Sequence, residues 1–179
     1  MKRSFIGLVA AVMASLAAVA HAGDGNAYIG INYMLIEQES RFGGAEDIET
    51  GETVVRFGGE ITDYFSSELR LGTTTNSAED GVATFKNVYS VGGLLRLRKE
   101  LGSLTPYVGL GYMWSREKLS RAGALSGERE VSDVAAAVGL DVSLGEKLGL
   151  NIEYFAMSME AFGSSINRNG PSAGLFWRF

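Results

Sequence analysis

The sequence predicts an all-β protein, an eight-stranded antiparallel up-and-down barrel that crosses a membrane. Three observations predict it. Apolar residues make up 46% of the 179-residue chain, yet after residue 22 no apolar run approaches the ~20 residues of a membrane-spanning helix. The apolar residues recur instead with period two, in eight segments that each supply most or all of the roughly 9 to 11 residues a tilted membrane strand needs. The charged residues of those segments gather on one face, the face that also collects glycine. A barrel satisfies its backbone between strands and shows lipid only every second side chain, so this distribution suits it.

Met1 to Ala22 has the three parts of a secretory signal: basic Lys2 and Arg3, an apolar run from Phe5 to Val19, and the small-x-small end Ala20-His21-Ala22. The run is short for a membrane anchor, so cleavage is expected before Gly23, leaving residues 23–179 as one barrel domain. Loss of Lys2 and Arg3 takes the formal charge from −5 to −7, a sign that argues against nucleic acid as a partner. The chain has no cysteine, hence neither disulfide nor thiolate metal site, and its one histidine, His21, departs with the signal. No cofactor is expected.

The segments follow in order. Ala27 to Gln38 sets Ile29, Ile31, Tyr33 and Leu35 against Gly30, Asn32 and Met34. Thr53 to Ile61 sets Val55, Phe57, Gly59 and Ile61 against Arg56, Gly58 and Glu60, and Ser66 to Thr73 sets Leu69 and Leu71 against Glu68, Arg70 and Gly72. Val88 to Arg98 opposes Tyr89, Val91, Gly93, Leu95 and Leu97 to Ser90, Gly92, Leu94, Arg96 and Arg98. Pro106 to Ser115 faces Val108, Leu110, Tyr112 and Trp114 outward, with Tyr107, Gly109, Gly111 and Met113 behind. In Ser132 to Leu144, Val134, Ala136, Val138, Leu140 and Val142 oppose Asp133, Ala135, Ala137, Gly139 and Asp141. Leu148 to Ser158 sets Leu150, Ile152, Tyr154 and Ala156 against Asn151, Glu153, Phe155 and Met157. Pro171 to Phe179 alternates Ala173, Leu175, Trp177 and Phe179 with Ser172, Gly174, Phe176 and Arg178.

Connections are expected to alternate in length. Short turns fall at Thr62 to Phe65, Lys99 to Thr105 and Gly145 to Lys147; long polar loops fall at Glu39 to Glu52, Thr74 to Asn87, Arg116 to Val131 and Met159 to Gly170. Both termini and the short turns are then periplasmic, and the four long loops extracellular.

A soluble barrel with an apolar inside competes with a membrane barrel whose faces are exchanged, and charge placement separates them. Arg56, Glu60, Glu68, Arg70, Arg96, Arg98, Asp133, Asp141, Glu153 and Arg178 share the glycine-rich face, five arginines beside five carboxylates. A one-residue slip would turn Arg56, Arg70 and Arg96 into lipid at about 2 to 4 kcal/mol each near the midplane, or roughly 6 to 12 kcal/mol together, comparable with a domain's whole stability. That face is therefore the lumen, which eight strands leave just wide enough for side chains to fill. Trp114 toward one end and Trp177 with Phe179 at the other fit aromatic girdles at the two interfaces.

Other patterns carry less. The runs Phe57-Gly-Gly-Glu60 and Val91-Gly-Gly-Leu94 precede no helix, so they serve lumen packing rather than a phosphate cradle. The acidic clusters Glu46-Asp47-Ile48-Glu49 and Glu79-Asp80 lack calcium-site spacing and are expected to be solvated. Arg116, Lys118, Arg121 and Arg129, in the third loop, are candidate contacts for lipopolysaccharide phosphates.

The stretches Ala27-Tyr-Ile-Gly-Ile-Asn-Tyr33, Ile61-Thr-Asp-Tyr-Phe-Ser-Ser-Glu-Leu-Arg-Leu-Gly72, Thr105-Pro-Tyr-Val-Gly-Leu-Gly-Tyr112 and Gly174-Leu-Phe-Trp-Arg-Phe179 resemble the small outer-membrane β-barrels of Gram-negative cell envelopes. These include the outer membrane protein A transmembrane domain, the opacity-type porin family and the X-type adhesion and invasion barrels. The resemblance covers the whole mature chain and comes without the peptidoglycan-binding domain that follows some of these barrels. It implies that Leu175, Trp177 and Phe179 form the signal read by the barrel-assembly machinery. It also implies that lipid-modifying or proteolytic chemistry, which in such barrels relies on histidine, is absent here; Ser164 and Ser165 would have no imidazole base. The expected role is structural or adhesion-like, through four loops and a surface ligand still unknown, with a narrow porin as the alternative.

Overall fold

The computed structural model describes residues 27–39, 48–76, 78–80, 83–121, 127–161 and 164–179. The expected signal segment lies outside them, as do Glu46 and Asp47 of the first acidic cluster. Among the described residues every helix-or-strand element is a strand: β1 (Ala27–Glu39), β2 (Ile48–Glu60), β3 (Phe65–Asn76), β4 (Ala78–Asp80), β5 (Ala83–Arg98), β6 (Leu104–Arg121), β7 (Gly127–Ser143), β8 (Leu148–Ala161) and β9 (Ser164–Arg178). β3 and the three-residue β4 lie end to end along β5, so nine segments make eight staves. Each stave pairs antiparallel with its sequence neighbours, and β9 returns to β1 to close the ring.

The closing seam runs from Tyr28↔Arg178 to Met34↔Ser172 and resumes from Glu37↔Asn169 to Glu39↔Asn167. It skips two rungs, those of Pro171, which has no amide hydrogen to give, and Gly170. Beyond the last rung, Phe179 N donates to the Ala27 carbonyl at 3.0 Å, so the chain end is itself tied into the seam.

The alternation read from the sequence sets the faces. Ile31, Leu35, Leu95, Leu110, Val138, Ile152 and Leu175 are exposed on the outside, whereas Asn32, Arg56, Glu68, Arg96, Ala135, Glu153 and Ser172 are buried within. Turns at residues 61–64, 99–103 and 144–147 join the staves at one end. The Phe65 amide is held by both the Thr62 carbonyl (3.2 Å) and its hydroxyl (3.1 Å). Gly102 takes φ 69°, a left-handed conformation that glycine adopts without a Cβ penalty.

The other end departs from the expected long loops. β2 already begins at Ile48, β6 continues to Arg121, β7 starts at Gly127, and only residues 162–163 separate β8 from β9. β6, at 18 residues, is roughly 60 Å long at about 3.3 Å per residue, far more than a band of about 25 Å requires even when tilted. The hairpins therefore project well beyond the apolar belt. Beyond that belt both faces of a ribbon meet water, so apolar alternation disappears while the hydrogen-bonded ladder goes on. Charge pairing marks the continuation: Arg116 is in register with Glu130, Glu117 with Arg129, and Lys118 with Glu128. Glu79 and Asp80 are likewise ladder residues, opposite Thr84 and Ala83.

Candidate functional site

The lumen is built in storeys, and the central one is a single hydrogen-bonded network to which all eight staves contribute. Its hub is Glu68 of β3, fully buried. Oε2 of Glu68 accepts from Arg56 Nε at 2.9 Å and Nη2 at 2.6 Å, from Arg96 Nη1 at 3.1 Å and from the Tyr28 hydroxyl; Oε1 accepts from Arg70 Nε at 2.6 Å. Arg70 also grips Glu153 with both terminal nitrogens, each at 2.6 Å, the bidentate geometry a guanidinium fork offers a carboxylate. Arg96 spans to Asp141.

Neutral groups complete the circuit. Tyr107 donates to Glu153 at 2.6 Å and accepts from Asn151 at 2.9 Å, while Asn151 also donates to Asp141 at 2.7 Å. Asn32 donates to Asn151 at 2.6 Å and Ser172 at 2.8 Å, and accepts from Arg56 at 3.2 Å. The Arg96 guanidinium lies 3.5 Å from the centre of the Tyr107 ring. Taking charges out of water costs several kcal/mol per ion, which only such dense pairing offsets.

Glycine provides the space. Three inward aromatics stand directly opposite a glycine on the neighbouring strand: Tyr28 by Gly58, Tyr107 by Gly139, and Phe176 by Gly149. A Cβ at Gly139 would come within 2.5 Å of the Tyr107 ring and 2.8 Å of the Ile152 carbonyl. Gly139→Leu is thus expected to displace Tyr107 from the network and lower unfolding stability by about 1 to 3 kcal/mol, the usual range for overpacking. Val138→Leu, one residue away on the outer face, should change it by a few tenths; denaturant titration of the two refolded variants checks the contrast.

On the side of the projecting hairpins an apolar storey follows, formed by Met34, Ile36, Val54, Met113, Phe155 and Met157, and a buried Glu52–Arg168 ion pair lies beyond it. The cavity between this pair and Arg70 is about 20 Å³, room for about one water. At the short-turn end Arg98 pairs with Glu60 and Glu100, beside an open basin of about 270 Å³ also lined by Asp63, Tyr64 and Lys99.

Of the ten charged lumen residues marked in the sequence, the network brings together Arg56, Glu68, Arg70, Arg96, Asp141 and Glu153. Glu60 and Arg98 meet at the short-turn end, and among the described residues the Arg178 side chain reaches the Ser143 hydroxyl, at 3.2 Å, and the Phe176 ring. Asp133 stands apart: its carboxylate accepts from the Val134 amide at 2.7 Å and joins no ion pair among the described residues. Glu52 and Arg168, which period-two hydropathy assigns to loops, form a pair that the sequence does not announce, although each continues its strand's phase, Glu52 that of Arg56 and Arg168 that of Ser172. Tyr28, Tyr107, Asn32 and Asn151 are likewise unannounced, because neutral polar groups carry no charge signal.

Leu175, Trp177 and Phe179 line the exposed outer face of the last strand. Arg116 and Lys118 lie on the projecting ribbon and are accessible there, Arg116 partly. The side chains of Arg121 and Arg129, and those of Ser164 and Ser165, lie outside the described residues.

In the arrangement of staves the chain is similar to solved barrels of low sequence identity. The attachment invasion locus protein of Yersinia pestis is 18% identical, with a TM-score of 0.66 over 87% of this chain and 99% of that one. Neisserial surface protein A is 15% identical, at 0.68 over 86% and 97%. The N-terminal barrel domain of Pseudomonas aeruginosa OprF is 12% identical, at 0.61 over 87% and 100%. No curated protein matches the chain in sequence. The model of the outer membrane protein β-barrel domain matches residues 6–179, and with its closed, eight-stave, all-antiparallel ring the chain belongs to that family.

Proposed function

We propose that this protein is a sealed outer-membrane barrel whose work is done by its surface: a rigid stave ring that holds four projecting hairpins outside the cell, with both termini in the periplasm, in a structural or adhesion-like role. The observation that carries the reading is the filled lumen. Arg56, Glu68, Arg70 and Arg96 are fully buried among one another, and the cavity beside them holds about one water. In this reading ions cross only if these pairs part. No enzymatic step belongs to the reading, since beyond His21 the sequence offers no imidazole base.

The Yersinia neighbour is named for attachment and has also been crystallised with the heparin analogue sucrose octasulfate. At 17% to 18% identity that likeness is one of fold, so the reading here stands on the lumen and the hairpins.

Two measurements test it. In planar bilayers the refolded barrel is expected to give no reproducible single-channel steps; discrete steps that change with Arg96→Ala would establish the narrow-channel reading instead. Exchange of all four hairpin ends for two-residue turns should leave the barrel folded, with its heat-dependent gel mobility intact, and abolish binding of whole cells to host or environmental surfaces. Undiminished binding after the exchange would overturn the surface role.

A further inference from the structure

Between the central network and the Glu52–Arg168 pair, the lumen gathers thioethers. Four of the chain's six methionines lie beyond residue 22, and three of these, Met34, Met113 and Met157, line the cavity of about 20 Å³. They come from β1, β6 and β8, which alternate with β9 and β7 around the ring, so the convergence owes nothing to a repeat within one strand. All three side chains are buried. Gly92, opposite Met113 on β5, makes room for its sulfur, since a Cβ there would collide with Met113 Sδ.

Methionine fills irregular apolar space well, yet here some space is left over, enough for about one water. Ser115 lines the same cavity, and its hydroxyl, 1% exposed, has no hydrogen-bond partner among the described residues. Three thioethers and a buried hydroxyl thus face one small volume. Charge and softness narrow what suits it. The carboxylates nearby are committed to arginines, Glu52 to Arg168, and Glu68 and Glu153 to Arg70. An anion would have to compete with them. Hard divalent cations need several oxygen ligands, and among the described residues no three of His, Cys, Asp and Glu cluster to hold a metal. Thioethers are soft donors that carry no proton to lose, and they select soft cations.

We propose that Met34, Met113 and Met157, assisted by the Ser115 hydroxyl oxygen, form a binding site for one soft monovalent cation of the copper(I) and silver(I) class. The sulfurs are the principal ligands, and Ser115 Oγ turns a lone pair toward the ion. The site lies inside the wall, so it stands whichever way the hairpins point and whatever they touch.

The test uses the full mature chain in phosphatidylcholine nanodiscs, titrated with silver(I) nitrate in chloride-free buffer. Binding is read by calorimetry and by the methyl resonances of isotope-labelled methionine. One ion is expected to bind per barrel, with shifted methyl signals from Met34, Met113 and Met157. M34L, M113L and M157L conserve volume and apolarity, so each barrel should fold, as gel mobility before and after heating shows. Each should weaken binding at least about tenfold, the least effect that loss of a residue merely supporting a ligand produces, and the triple variant should lose the site. S115A should weaken binding less than any of the three. Met159 is retained throughout, so background binding by an isolated thioether is common to all variants. Copper(I) stabilised by acetonitrile is expected to displace silver, and zinc(II) to leave it in place. No saturable silver binding, or unchanged affinity in the triple variant, would overturn the proposal and leave the methionines as filling. So would displacement by zinc(II), which would mark a site of hard ligands instead.

Discussion

Glu68→Gln is expected to lower the unfolding free energy by about 3 to 5 kcal/mol, the cost of leaving buried charge uncompensated. The substitution keeps the shape of the side chain and one acceptor oxygen, so the loss isolates charge. In the native lumen three guanidiniums, those of Arg56, Arg70 and Arg96, converge on this carboxylate. Glu153 and Asp141 already serve Arg70 and Arg96, so Arg56 is left with the Asn32 carbonyl and a neutral amide. Glu60→Gln makes the control. Glu60 is 23% exposed at the lumen mouth, and its loss should cost less than about 1 kcal/mol. Urea titration of barrels refolded into vesicles, followed by tryptophan emission and by gel mobility without heating, checks both. Equal effects for the two variants would mean that the hub has no special place in the network.

Leu110→Arg probes the opposite face. Leu110 is 66% exposed on the outside of β6, between Leu95 on β5 and Ala136 on β7, midway between the two ends of the apolar belt. An arginine there must enter hydrocarbon near the midplane, at about 2 to 4 kcal/mol. The same titration in vesicles measures it. In a detergent micelle, where water reaches the head group more easily, the penalty should shrink. A penalty equal in both media would show that packing, rather than immersion in lipid, sets the cost.

The stave ring itself was legible because the membrane imposes a period of two on every stave, and a single misplaced arginine is costly enough to determine the phase. Phe57, Leu95 and Trp177 therefore identify their faces before any coordinates are known. The hairpin lengths were not legible for the converse reason: above the belt nothing distinguishes the two faces, and the ladder there is written in cross-strand charge matches such as Lys118 with Glu128, which period-two hydropathy does not register. The site divides in the same way. Arg56, Glu68, Arg70 and Arg96 stand out as charges among apolar neighbours, but which carboxylate meets which arginine depends on the curvature of the ring. Arg70 finds Glu153 on the far side of the lumen, 83 residues on, and Asp133, on the same inward phase, finds no ion partner among the described residues.

The network that draws on every stave also bears on how the barrel comes into being. Glu68 meets its full set of arginines only when β2, β3 and β5 are in place, and Asn32 meets Asn151 only when β8 has come round to β1. A sheet without β3, β7 or β8 would leave guanidiniums without their carboxylates, whereas β9 brings to the central network the Ser172 hydroxyl that accepts from Asn32. Closure of the ring and completion of the network thus coincide at the seam, where Asn32 of β1 meets Ser172 of β9.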